Sequence, residues 1–93
     1  MKPSPNQLRA IVTGASSGIG RATALAFARS GIELALVSRS SDKLKTVADE
    51  IQALGISTKV STYSIDLAVT NQVKQKIATI WEQFGPIDIL VNN

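Results

Sequence analysis

The sequence predicts an α/β fold: a doubly wound parallel sheet with helices on both faces and the strand order 3-2-1-4. Three observations carry this. Short apolar segments alternate with longer amphipathic ones in the order β-α-β-α-β-α-β, joined by short connections. The run Leu34-Ala35-Leu36-Val37 is apolar without alternation, as in a parallel strand covered on both faces. The turn that follows the first strand holds three glycines between Gly14 and Gly20 and opens directly into an alanine-rich segment.

Residues 1–7 are polar and carry two prolines, and read as a flexible leader. Arg9 to Thr13 forms the first strand. From about Gly18 to Ser30 the chain is apolar on most sides, as in a well-buried helix, and Gly31 suits the position just past its end. After the second strand, Ser40 or Ser41 caps a helix whose Leu44, Val47, Ala48, Ile51 and Leu54 recur at helical spacing, and Gly55 closes it. Residues 57–65, rich in Ser, Thr and Val, make the third strand and belong near a sheet edge. A third helix runs from about Thr70 to Phe84 with Val73, Ile77, Trp81 and Phe84 on one stripe. Trp81 and Phe84 are therefore expected in the core. Gly85-Pro86 stops it, and Ile87 to Val91 is the last strand.

Right-handed crossovers carry two strands outward from the first, and one long return places the fourth on its other side. Ligands bind where the order reverses, at the carboxyl ends of the first and fourth strands. The glycine turn and Asn92-Asn93 meet there.

Composition narrows the chemistry. The 93 residues contain no cysteine and no histidine, which excludes disulfides, thiol nucleophiles, Cys or His metal sites and a Ser-His-Asp relay. Residues 1–45 carry seven bases against two acids, while residues 46–93 carry three against five. A basic front half suits an anionic partner. Four aromatic residues and no Lys/Arg run count against nucleic acid, so a phosphate-bearing small molecule is the better match. The longest apolar run is the five residues Ala24 to Ala28, too short for a membrane span, and the leader has no apolar stretch. The expected location is cytoplasmic.

Thr13-Gly14-Ala15-Ser16-Ser17-Gly18-Ile19-Gly20 follows a strand and starts a helix. Gly14 lets the chain leave the strand sharply, Gly18 leaves the helix start open to a pyrophosphate, and Gly20 lets the helix pack close to the sheet. Free amides and the positive end of the helix dipole then favour phosphate. No Gly-Lys-Ser/Thr follows, so this is not a Walker loop.

Here the chain resembles the short-chain dehydrogenases/reductases. Thr13-Gly14-x-x-x-Gly18-x-Gly20 is similar to their TGxxxGxG cofactor motif, and Asn92-Asn93 to the first half of their NNAG motif, with essentially all 93 residues in matching order and spacing. The nearest flavour is the 3-oxoacyl-[acyl-carrier-protein] reductase type. The resemblance implies a Rossmann-type domain and cofactor contact along Thr13, Gly14, Ser16, Ser17, Gly18, Ile19 and Gly20. It further implies that Asp66 bonds the adenine amino group, that the Leu67 backbone assists it, and that Asn92 and Asn93 tie the sheet and line the ribose. The plainer readings are a loop-initiating aspartate and strand-terminating asparagines. Arg21, in the first turn of the phosphate helix, reads as a solvated side chain rather than a phosphate ligand.

Dinucleotide enzymes selective for NAD place an acid at the end of the second strand. Ser38 stands there, followed by Arg39, whose guanidinium suits a 2′-phosphate and could stack on adenine. In the resembling family this pattern signals NADP(H). The plainer alternative is a solvated arginine at a strand end.

Family catalysis uses a serine and a YxxxK pair, the lysine lowering the tyrosine pKa for proton transfer. Tyr63 is the single tyrosine and Leu67 stands four residues on, so no catalytic residue is assigned. The fourth strand also reads as central yet lacks covering elements. Residues 8–93 are accordingly expected to be the N-terminal, dinucleotide-binding part of one Rossmann domain, cut within NNAG. The parent would reduce a small-molecule carbonyl or acyl thioester, act as a homo-oligomer, and bind no nucleic acid or membrane. A non-catalytic nucleotide-binding or regulatory module is the alternative. An S-adenosylmethionine methyltransferase shares the architecture, but usually ends its second strand in an acid.

Overall fold

The computed structural model describes residues 7–66, 68 and 70–93. The first six leader residues and Leu67 lie outside that set. The elements are β1 (Arg9–Thr13), α1 (Gly18–Arg29), β2 (Glu33–Ser38), α2 (Ser41–Ala53), β3 (Val60–Ser64), α3 (Thr70–Phe84) and β4 (Ile89–Val91). All strand pairings are parallel, and the sheet order is β3-β2-β1-β4, as the crossover argument required.

Strand periodicity divides the core in two. Ala10 and Val12 of β1 and Leu34 and Leu36 of β2 face Ala24 and Ala28 of α1 and Leu44, Val47 and Ile51 of α2. The intervening Ile11, Ala35 and Val37 face the other way, toward Ile80 and Phe84 of α3 and toward Ile65. Successive side chains of a strand point to opposite faces, so an unbroken apolar run feeds both layers at once. The small alanines on α1 let it lie close over the sheet.

β3 is the edge, with Val60, Ser61 and Tyr63 half-buried and Thr62 and Ser64 exposed, as its polar composition suggested. It is shorter than the 57–65 stretch, although Leu34 N–H still reaches the Lys59 carbonyl at 2.9 Å. β4 begins later than Ile87. Asp88 starts the pairing instead, its N–H donating to Arg9 O at 2.9 Å and its Oδ2 accepting from Arg9 N at 3.0 Å.

One core assignment is corrected. Phe84 is buried, but Trp81 is 53% exposed. Each step of four residues advances about 40° around a helix, so the row Val73, Ile77, Trp81 drifts off the buried face. Ile80 takes the inner position instead, fully buried beside Phe84. Trp81 swings toward the outer edge of β4, where Leu90 is 64% exposed. The two border an apolar groove of about 420 Å³ together with Ile11, Ile77 and Ile89.

Candidate functional site

The site is built at the carboxyl ends of β1, β2 and β4. Leaving β1, the chain turns at Gly14, whose φ of +61° disfavours residues with a Cβ, and enters α1 at Gly18, with φ of +60°. Between them Ala15 is buried, and its N–H donates to the Val37 carbonyl at 3.2 Å, stitching the loop to the end of β2. Gly20 answers a different demand. A Cβ built there would lie 2.7 Å from the Gly14 carbonyl carbon and 2.8 Å from Asn93 Nδ2. The absence of a side chain at this position lets α1 rest directly on the loop.

The two serine-led helix starts differ. Ser40 caps α2 by accepting from Lys43 N–H at 3.3 Å. Ser17, at the head of α1, makes no side-chain capping bond. The leading amides of a helix have no partner one turn back, and here the cap side chain does not claim them. No acid stands in that first turn, and Ile19 is 77% exposed on it. The start of α1 is therefore an open, positively polarised group of donors suited to an anion.

Thr13 joins β1 to β4. Its Oγ1 lies 3.3 Å from the Val91 carbonyl and 3.1 Å from Asn92 Oδ1, its single proton serving one at a time. The same oxygen accepts from Asn93 N–H at 3.0 Å, and Asn93 Nδ2 donates to Thr13 O at 3.0 Å. The threonine is almost wholly buried, so this network fixes the crevice floor.

Across the crevice a pocket of about 360 Å³ is lined by Gly14, Val37, Ser38, Arg39, Ile65, Asp66, Ala68 and Asn93. Five of the residues singled out from sequence thus share one cavity: Gly14, Ser38, Arg39, Asp66 and Asn93. Ser16 is joined to it through a 2.8 Å hydrogen bond from Ser38 Oγ. Asn92 instead borders the groove beside Trp81. Sequence reading missed the walls Val37, Ile65 and Ala68. The signal was present for two of them, since Val37 and Ile65 are the last apolar residues before the polar ends of the second and third strands.

Arg39 is exposed at the rim, and among the described residues no ion pair involves it. Asp66 serves its own loop through Oδ1, which accepts from Ala68 N–H at 3.0 Å, while still lining the pocket. The loop-initiating and pocket-lining readings coexist. Arg21 is exposed, as its sequence position suggested, and it also pairs across the surface with α2. Its guanidinium grips Glu50 of α2, Nε to Oε1 at 3.0 Å with a second contact to Oε2, and so is held by α2. That hydrogen-bonded pairing raises the Arg21 pKa and holds the Glu50 carboxyl below its ordinary value.

Tyr63 packs on the α3 side of the sheet against the cluster that holds Ile65, Ile80 and Phe84, and it borders a cavity with Lys76 and Thr79 rather than the one that Gly14 lines. Among the described residues no group of His, Cys, Asp or Glu is arranged to hold a metal ion, and no helix is long and apolar enough to cross a membrane.

The family model for short chain dehydrogenases matches residues 9–93. The chain belongs to the short chain dehydrogenase family. It is 43% identical over 83 residues to a short chain dehydrogenase of Pseudocercospora fijiensis, covering 89% of this chain and 26% of that protein. It is 41% identical over 85 residues to the 3-oxoacyl-[acyl-carrier-protein] reductase FabG of Staphylococcus epidermidis, covering 90% of this chain and 34% of the relative. Among solved structures, YwfH, an NADPH dependent reductase involved in bacilysin biosynthesis, superposes with a TM-score of 0.89 at 32% identity over 95% of this chain and 35% of its own. The short chain dehydrogenase residues here thus span about a quarter to a third of the length of these relatives.

Proposed function

We propose that residues 8–93 form the NADP(H)-binding part of a longer short chain oxidoreductase that reduces a carbonyl, such as a 3-oxoacyl thioester or a related ketone. The observation that carries the reading is the pairing of Ser38 and Arg39 at the rim of the pocket that Gly14, Asp66 and Asn93 also line. A hydroxyl and a guanidinium that forms no ion pair among the described residues stand where an NAD-selective site would place a carboxylate. The fit extends to the glycine loop. The amides of Gly18, Ile19 and Gly20 would hold the pyrophosphate, with Ser16 and Ser17 beside them and Thr13 beneath. Asp66 would take the adenine amino group, with the Leu67 backbone beside it, and Asn92 and Asn93 would line the ribose. An Arg39 guanidinium offers charge-assisted bonds to a 2′-phosphate and a flat surface to adenine. When bound, such a nicotinamide supplies a hydride.

The protonating side of the reaction is assigned outside these residues. Tyr63 has Leu67 four positions on and packs against the α3 face of the sheet. The chain by itself is accordingly expected to bind nucleotide without reducing a ketone. Titrating the intact gene product with NADPH and NADH, followed by nucleotide fluorescence, tests the reading. Tighter binding of NADPH is expected, and a preference for NADH would overturn the assignment of Ser38 and Arg39.

A further inference from the structure

The cofactor reading rests on Arg39, yet among the described residues no side chain pairs with its guanidinium. What holds this residue is its main chain. Ser38 before it is fixed twice: its carbonyl accepts from Ile65 N–H at 2.9 Å, and its hydroxyl donates to Ser16. Ser40 after it is fixed as the cap of α2. Arg39 itself is held across the sheet edge, where Ser64 Oγ, at the end of β3, donates to the Arg39 carbonyl at 2.9 Å. Among the described hydrogen bonds this is the contact that reaches Arg39 from outside its own loop.

We propose that Ser64 is a positioning residue for Arg39 and so helps set how strongly the site distinguishes NADPH from NADH. The proposal rests on the cofactor reading above. A long guanidinium side chain loses much rotational freedom when it engages a phosphate. Fixing the backbone from which it springs leaves fewer arrangements to search, and a wandering carbonyl would spread the guanidinium over more of them. NADH lacks the 2′-phosphate and draws nothing from that alignment.

Threonine and valine at position 64 have nearly the same shape and both suit an edge strand, so they differ chiefly in the hydroxyl. In the intact gene product, Ser64→Val is expected to weaken NADPH binding roughly two- to fivefold, the worth of one partly exposed hydrogen bond, with NADH binding unchanged. Ser64→Thr is expected to retain selectivity. Equal NADPH affinities in the two variants would overturn the proposal. So would a Val variant that loses both nucleotides in parallel, since that marks a purely structural role. Arg39→Ala, measured alongside, separates the two claims. If it leaves NADPH affinity intact, the cofactor reading itself fails; if it abolishes selectivity while Ser64→Val does not, only the role of Ser64 fails.

Discussion

Replacing Gly20 by alanine tests the geometry of the glycine loop directly. Taken alone, helix propensity favours the change by up to about 1 kcal/mol, because glycine is a poor helix interior residue. The surroundings oppose it. The added Cβ would sit 2.7 Å from the Gly14 carbonyl carbon and 2.8 Å from Asn93 Nδ2, with the Gly14 carbonyl oxygen nearer still. Carbon atoms in contact sit about 3.5–4 Å apart, so about 1 Å of movement is needed. Two of the three obstacles are backbone atoms, and no rotamer change relieves them. Overpacking of this kind costs about 1–3 kcal/mol, which exceeds the propensity gain. The net loss of up to about 2 kcal/mol should lower the thermal midpoint by up to about 15 °C in a domain of this size. Nucleotide affinity should fall too, since α1 must lift away from Gly14 and its leading amides move with it. Circular dichroism melts and NADPH titration read the two effects. Gly18→Ala is the control, because a Cβ there meets nothing within 4 Å and only the positive φ is strained. A Gly20→Ala variant as stable and as tight-binding as its parent would refute the reasoning.

Three further outcomes are expected. Ser38→Asp combined with Arg39→Ala should move preference toward NADH, because a carboxylate repels the 2′-phosphate and receives ribose hydroxyls; an unchanged ratio of the two affinities argues against the pocket assignment. Thr13→Val keeps the shape but removes the part-buried hydroxyl that accepts from Asn93 N–H and reaches the Val91 carbonyl, at about 0.5–1.5 kcal/mol, and should show as faster amide hydrogen exchange at Asn93 and the β4 end. The Arg21–Glu50 pair should make stability acid-sensitive. The Glu50 pKa is lowered in the fold from an ordinary 4.5, so its contribution is present above that pH and is lost as the pH falls through the lower folded value. Comparing melting curves of the parent and Glu50→Gln from pH 6 downward, the gap should close in acid and shrink in salt; a gap of constant size would count against the pairing.

Sequence patterning alone determined the element order, the parallel sheet and its 3-2-1-4 arrangement. Helical and strand periodicities differ, and a chiral crossover leaves few ways to connect them. The glycine spacing likewise marked the phosphate loop, because positive φ and close approach are demands that one residue type meets. Tertiary structure decided what depends on neighbours distant in the chain. Trp81 shared a helical stripe with Phe84 but left the core, since only packing decides which row of a drifting stripe faces inward. Arg21 was committed to Glu50, 29 residues on, a pairing that no local pattern encodes. The pocket walls Val37, Ile65 and Ala68, and the bond from Ser64 to the Arg39 carbonyl, likewise exist only because parallel pairing brings the ends of β2 and β3 together. Residue types announced a phosphate-binding loop; the register of the sheet chose which hydroxyls would surround the arginine beside it.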